Sequence, residues 1–129
     1  MNNLLIDENP LIVLPSLAKK IGLNEAIILQ QIHFWINKKK NYRDGNYWVY
    51  NTYNGWSKQF PFWSVSTIRR SLKNLEKMGL IVTANYNKDL YDKTKWYSID
   101  YDGLVNLTRR WGQNDLFWSG QNDPTYTID

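Results

Sequence analysis

Apolar positions along the chain alternate between helical and extended spacing. Leu11-Ile12-Val13-Leu14 is a brief extended apolar run. Pro15 fits the first turn of a short helix over 16–21, where a missing amide costs nothing, and Gly22 stops it. Asn24 reads as the cap of a second helix, 25 to about 39. Ala26, Ile27, Leu29, Ile32, Trp35 and Ile36 make it heavily apolar, so it is the expected central core helix. Asp44-Gly45 marks a turn. Tyr47-Trp48-Val49-Tyr50 is aromatic and β-branched, which predicts a short strand. Asn51 or Thr52 can cap a helix over 53–59, which Phe60-Pro61 breaks.

The clearest pattern lies at 62–81. Ser64 is a good N-cap, because its hydroxyl can satisfy a first-turn amide. Val65, Ile68, Leu72 and Leu75 form one apolar stripe at helical spacing. Lys77 falls in the last turn, and Gly79 stands where a left-handed cap is expected. The other face carries Ser66, Thr67, Arg69, Arg70, Lys73 and Asn74, short hydroxyls first and long cations after. A strand over 80–86, a polar loop over 87–94 and a returning strand over 95–101 follow. The expected fold is therefore α+β and mainly helical: a winged helix-turn-helix with a three-stranded antiparallel sheet and a C-terminal tail. A short helix over 103–110 closes the domain, read as 1–110. Gly112-Gln113-Asn114-Asp115 recurs as Gly120-Gln121-Asn122-Asp123, a repeat far too short for a solenoid unit of about 20 or more residues. Residues 111–129 read as a linker or tail, expected to lead to a C-terminal domain outside this sequence. Its aromatics Trp111, Phe117 and Trp118 are candidates for docking on the domain or on another chain.

Composition adds exclusions. With 43% hydrophobic residues and seven tryptophans, the chain is not wholly disordered. It has no cysteine, hence no disulfide, thiol nucleophile or thiolate metal site. Met1-Asn2-Asn3-Leu4 does not open a signal peptide, and no apolar run approaches the roughly 20 residues of a membrane span. A cytoplasmic protein with no membrane partner is expected. The net charge of +4 is unevenly spread: 38–95 holds twelve Lys and Arg against four Asp and Glu, while the rest of the chain sums to −4. A positive middle segment points to a polyanionic partner.

The basic face of the 65–77 helix supplies the candidate site. Small donors at its N-terminal end and arginines a turn later suit a major groove flanked by phosphates. Ser66, Thr67, Arg70, Lys73 and Asn74 form the major-groove set. Arg pairs bidentately with guanine and Asn with adenine, each good pair contributing roughly 1–3 kcal/mol of discrimination. Arg69 sits nearer the flank and is assigned to phosphate. Ser64 either caps the helix alone or also presents the helix N-terminus to a phosphate. Lys93 and Lys95 in the hairpin are candidates for phosphate contact, opposed by Asp89 and Asp92. Lys38, Lys39 and Lys40 could reach phosphate or simply be a solvated helix end. His33, the one histidine, lacks neighbouring ligands and reads as a half-buried polar residue. Trp35, Trp48, Trp56 and Trp63 read as core. No phosphate-binding loop or nucleophile elbow is present, so neither an enzyme nor a cofactor or metal site is expected.

Taken together, several segments carry a resemblance. They are Ile28-Leu29-Gln30-Gln31-Ile32-His33-Phe34-Trp35, Trp48-Val49-Tyr50-Asn51-Thr52-Tyr53, Trp56, Phe60-Pro61-Phe62-Trp63, the 64–81 helix and strand, and Trp96-Tyr97-Ser98-Ile99-Asp100. The pattern resembles the N-terminal winged-helix domain of phage and plasmid replication initiators of Gram-positive bacteria, the DnaD-like replisome organisers. The resemblance implies binding of double-stranded origin DNA, self-association and replication partners reached through a C-terminal part that this chain does not match. A homodimer is expected, with the apolar segment 4–14 as candidate interface. A transcriptional regulator of the same fold and a winged-helix protein-interaction or oligomerisation module are the alternative readings.

Overall fold

The structure, a computed structural model, describes residues 10–114, with side chains over 10–110. The part of the candidate interface over 4–9, the aromatic side chains at 111, 117 and 118 and the second Gln-Asn-Asp copy lie outside the described residues. Among the described residues the order is α1 (Pro15–Ile21), α2 (Leu23–Ile36), β1 (Tyr42–Arg43), β2 (Asn46–Tyr47), β3 (Val49–Asn51), α3 (Tyr53–Gln59), α4 (Val65–Lys77), β4 (Ile81–Ala84), β5 (Lys95–Ile99) and α5 (Tyr101–Asn114). This is an α+β fold, mainly helical, with one antiparallel sheet ordered β3–β5–β4 and a separate β1–β2 hairpin.

Gly22 is the joint between the first two helices. Its φ of 109° ends α1, and it then stands as the N-cap of α2. The second helix therefore starts at Leu23 and is not capped by Asn24. Glu25 folds its carboxylate over Gly22, where a β-carbon would come within 2.3 Å of Oε1. Only glycine combines this positive φ with that clearance. At the other end α2 stops at Ile36, short of the expected Lys39. The amides of Asn37, Lys38 and Lys39 turn back onto the carbonyls of His33, Trp35 and Ile36, and Lys39 takes a φ of 54°.

The core lies between α2, α3, α4 and the inner face of the sheet. Ala26, Ile28, Leu29, Ile32 and Ile36 of α2 meet Trp56 and Phe60, Ile68, Leu72 and Leu75 of α4, and Leu80, Ile81, Tyr97 and Ile99. Each fully buried aliphatic or aromatic side chain of this kind stabilises by roughly 1.5–3 kcal/mol. Trp35 departs from the core reading: it is 36% exposed, and its indole donates to Gln59 Oε1 at 3.2 Å. Val65 is half-buried at the edge of the stripe.

The strand expected over 47–50 is broken at Trp48. Asp44 and Gly45 both have positive φ (50° and 82°), which suits the tight hairpin pairing Tyr42 with Tyr47. Trp48 then turns in, its indole donating to the Arg43 carbonyl at 2.9 Å, and β3 leaves to pair with β5. The small hairpin lies against a second aromatic cluster. Tyr86 contacts both Trp48 and Trp96, Tyr50 tilts on Trp96, and the Arg43 guanidinium lies 5.7 Å from the Trp96 ring centre. The Tyr86 phenol donates to Asp44 at 2.5 Å, tying this cluster to the β1–β2 turn.

The remaining elements follow their local signals. Thr52 caps α3, its hydroxyl accepting the Gly55 amide at 3.0 Å. Ser64 caps α4, accepting the Thr67 amide at 3.1 Å, and Gly79 turns the chain into β4 with a φ of 75°. The strands β4 and β5 are trimmed to 81–84 and 95–99. Asp100 leaves the ladder, its amide reaching the Leu80 carbonyl and its carboxylate accepting the Gly103 amide at 2.9 Å to start α5. The last helix is longer than the expected 103–110, starting at Tyr101 and running into the stretch read as linker, to Asn114. Among the described residues no helix is long and apolar enough to cross a membrane.

Candidate functional site

Three elements converge on one side of the molecule: the start of α3, the outward face of α4 and the base of the β4–β5 hairpin. A helix turns about 100° per residue, so the buried Ile68, Leu72 and Leu75 fix where its other residues lie. Ser66, Arg70 and Lys73, spaced four and three apart, stand opposite the core, and all three are exposed. They form a short stripe of one hydroxyl and two exposed cations. Val65 and Arg69 lie on the flank toward the hairpin, where both line a groove. Thr67 and Asn74 lie on the other flank, toward α2.

That division separates the nine candidates. Ser64 and Thr67 are joined to each other: the Ser64 hydroxyl donates to Thr67 Oγ1 at 3.0 Å while accepting the Thr67 amide. Asn74 does not share the outward stripe. It is half-buried, and its amide donates to Glu25 Oε2 at 2.8 Å, so it clamps α4 to the start of α2. Base reading by Asn74 would leave that carboxylate without its donor. Arg69, Lys93 and Lys95 come together instead, on an open groove of about 920 Å³ also lined by Thr52, Tyr53 and Asn54. Lys58 is exposed near the end of α3.

Tyr53, for which the sequence offers no signal, is the hub of that groove. Lys95 Nζ donates to its phenol oxygen at 3.0 Å, and the Arg69 guanidinium lies 4.8 Å from its ring centre. Burial raises the Tyr53 pKa, but the Lys95 hydrogen bond and the charges of Lys95 and Arg69 outweigh it, so the net shift is downward. The groove includes one carboxylate, Asp92. Its Oδ1 accepts the Thr94 amide at 2.9 Å, and this bond holds its pKa below the usual carboxylate value.

The hairpin loop is ordered by Asn87. Its amide donates to the carbonyls of Asp92 and Thr94 at 3.2 and 2.7 Å, and its Oδ1 accepts the Trp96 indole at 2.7 Å. Asp89 Oδ1 accepts the Tyr91 amide, closing a second local turn. These turns leave Leu90 and Tyr91 95% and 89% exposed at the tip of a loop that the sequence pattern describes only as polar.

Elsewhere, His33 Nδ1 lies 2.8 Å from the Tyr101 hydroxyl and links α2 to α5. Among the described residues no three His, Asp or Glu side chains gather where they could hold a metal ion. No family model matches the chain, and no curated protein or solved structure matches it either.

Proposed function

We propose that α3, α4 and the β4–β5 hairpin act as a winged helix-turn-helix that binds double-stranded DNA in a sequence-dependent way. The observation that carries this reading is the adjacency of two cationic surfaces with different geometry. Ser66, Arg70 and Lys73 make an exposed stripe on a helix of a width that enters a major groove. Beside it, Arg69, Lys93 and Lys95 gather on a groove where a sugar–phosphate strand would pass. Base reading then falls to Ser66, Arg70 and Lys73. Ser64 meets a phosphate at the helix N-terminus, and the hairpin, as the wing, grips the backbone. The resemblance noted in the sequence supports a role as the origin-binding domain of a replication initiator, working as a homodimer in the cytoplasm with further replication partners. The same surface would serve a transcriptional regulator equally.

Selection of bound duplexes from a randomised library tests the reading. It predicts an enriched motif whose guanine positions are lost with Arg70→Ala. An unenriched pool from a protein that still retains DNA would reduce the activity to charge attraction. One observation favours the protein-interaction alternative: Phe62, in the turn between α3 and α4, is 59% exposed. A variant Phe62→Ser that lost self-association but kept duplex binding would assign that residue to a protein contact.

A further inference from the structure

Tyr53 draws two cations from different elements onto one neutral ring. Lys95 Nζ is 5.3 Å from the ring centre as well as bonded to the phenol, and Arg69 lies over the same ring from α4. Among the described residues, neither cation is joined to a carboxylate. Long cationic side chains at a surface ordinarily keep their rotamer freedom, and fixing one costs conformational entropy. Here the ring and its hydroxyl hold both before any ligand arrives, which is preorganisation. Neither is used up by being held. Lys95 spends one of its three donors on Tyr53. The Arg69 guanidinium is a planar fork that matches phosphate oxygens. Asn54 and Thr94 line the same groove and offer further polar groups, and its volume of about 920 Å³ leaves room for a strand. The downward pKa shift of Tyr53 is what two nearby cations should produce.

We infer that Tyr53 is a positioning residue that presents Arg69 and Lys95 together to a single phosphodiester of a DNA strand lying between α4 and the wing. The inference rests on the DNA-binding reading and adds to it. It couples the helix and the wing through one side chain, so the two do not contact the backbone independently.

The test compares wild type, Tyr53→Phe, Lys95→Ala and the double variant on one duplex by fluorescence anisotropy. Tyr53→Phe keeps a ring for Arg69 and removes the acceptor for Lys95. It should weaken binding about fivefold on every sequence, and Lys95→Ala about tenfold. The double variant should bind no more weakly than Lys95→Ala, because both changes remove one coupled contact. A methylphosphonate scan supplies a second readout. Neutralising one phosphate should cost wild type about tenfold at one position and cost Lys95→Ala only about threefold there, because Arg69 still meets it. Tyr53→Phe binding like wild type, a double variant equal to the product of the singles, or the absence of any such phosphate would overturn the inference while leaving DNA binding intact. Competition by inorganic phosphate at matched ionic strength would also overturn it, reassigning the seat to the free anion. Failure of wild type to bind any duplex at low salt would remove the DNA reading and this inference together.

Discussion

Ser64 is asked to do two things, and two substitutions separate them. Its hydroxyl accepts the Thr67 amide at 3.1 Å, satisfying one of the orphan donors at the start of α4. Ser64→Ala removes that acceptor from an exposed position, so little packing is lost with it. The cost of losing such a cap is about 1 kcal/mol, which for a domain of this size lowers Tm by roughly 5 °C. Ser64→Asp keeps an acceptor of equal capping quality and adds a negative charge where the helix dipole favours one. Its stability should stay within about 0.5 kcal/mol of wild type. If a phosphate docks at this helix N-terminus, the new carboxylate faces it. Two unit charges about 4 Å apart near a surface repel by roughly 4 kcal/mol before salt screening. A loss of at least about tenfold in duplex affinity, 1.4 kcal/mol, should remain after screening. Thermal unfolding and anisotropy on the same two proteins read both effects. Ser64→Ala melting like wild type would refute the capping argument. A stable Ser64→Asp with undiminished affinity would show that no phosphate lies at the start of α4.

Three further outcomes follow from the same geometry. Asn74→Ala leaves the half-buried Glu25 carboxylate without its donor and should lower stability by about 1.5–3 kcal/mol in urea unfolding, while leaving the selected DNA motif unchanged. Leu75 is fully buried between α2 and α4, and Leu75→Ala should cost about 2–5 kcal/mol; a loss under 1 kcal/mol would mean that the core is not packed as described. Burial pushes the Tyr97 phenol up to about 12 from its usual 10.0. The folded state therefore favours the protonated form. Its contribution, about 3 kcal/mol, is complete below pH 10 and lost as pH rises toward 12. Tyr97→Phe should flatten most of that alkaline slope in Tm.

Much of the architecture was legible because local signals sit where tertiary packing needs them. Pro15, Thr52, Ser64 and Gly79 mark helix ends through backbone chemistry that the residue type largely decides. The 65–77 helix has a periodic apolar stripe, so its orientation followed from the sequence as well. The misreadings have a common physical form. Asn24 is a good cap by type, yet Gly22 takes the place because only it can hold the φ of 109° at the joint. Trp35 is apolar and lies on the core helix, but its indole N–H seeks Gln59 near the surface. Trp48 was expected to continue one strand, whereas the positive-φ Asp44-Gly45 turn commits 46–47 to a separate hairpin. At the candidate site, helical spacing separates Ser66, Arg70 and Lys73 from the core. It also turns Asn74 toward a flank, but it does not reveal that Asn74 is taken up by Glu25, a partner 49 positions away. Tyr53 was invisible for the same reason, since Arg69 and Lys95 reach it from two other elements.

The central claim is that one face of this molecule neutralises the backbone of a duplex. The most direct measurement is the salt dependence of wild-type affinity for a duplex of about 20 base pairs. Each neutralised phosphate contributes about −0.9 to the slope of log K against log salt, so one phosphate held by Arg69 and Lys95 together and a second met by Lys93 predict a slope of roughly −2. Lys93→Ala should make it shallower by about 0.9. A slope near zero, or no binding at about 50 mM salt, where phosphate contacts are strongest, would contradict the account.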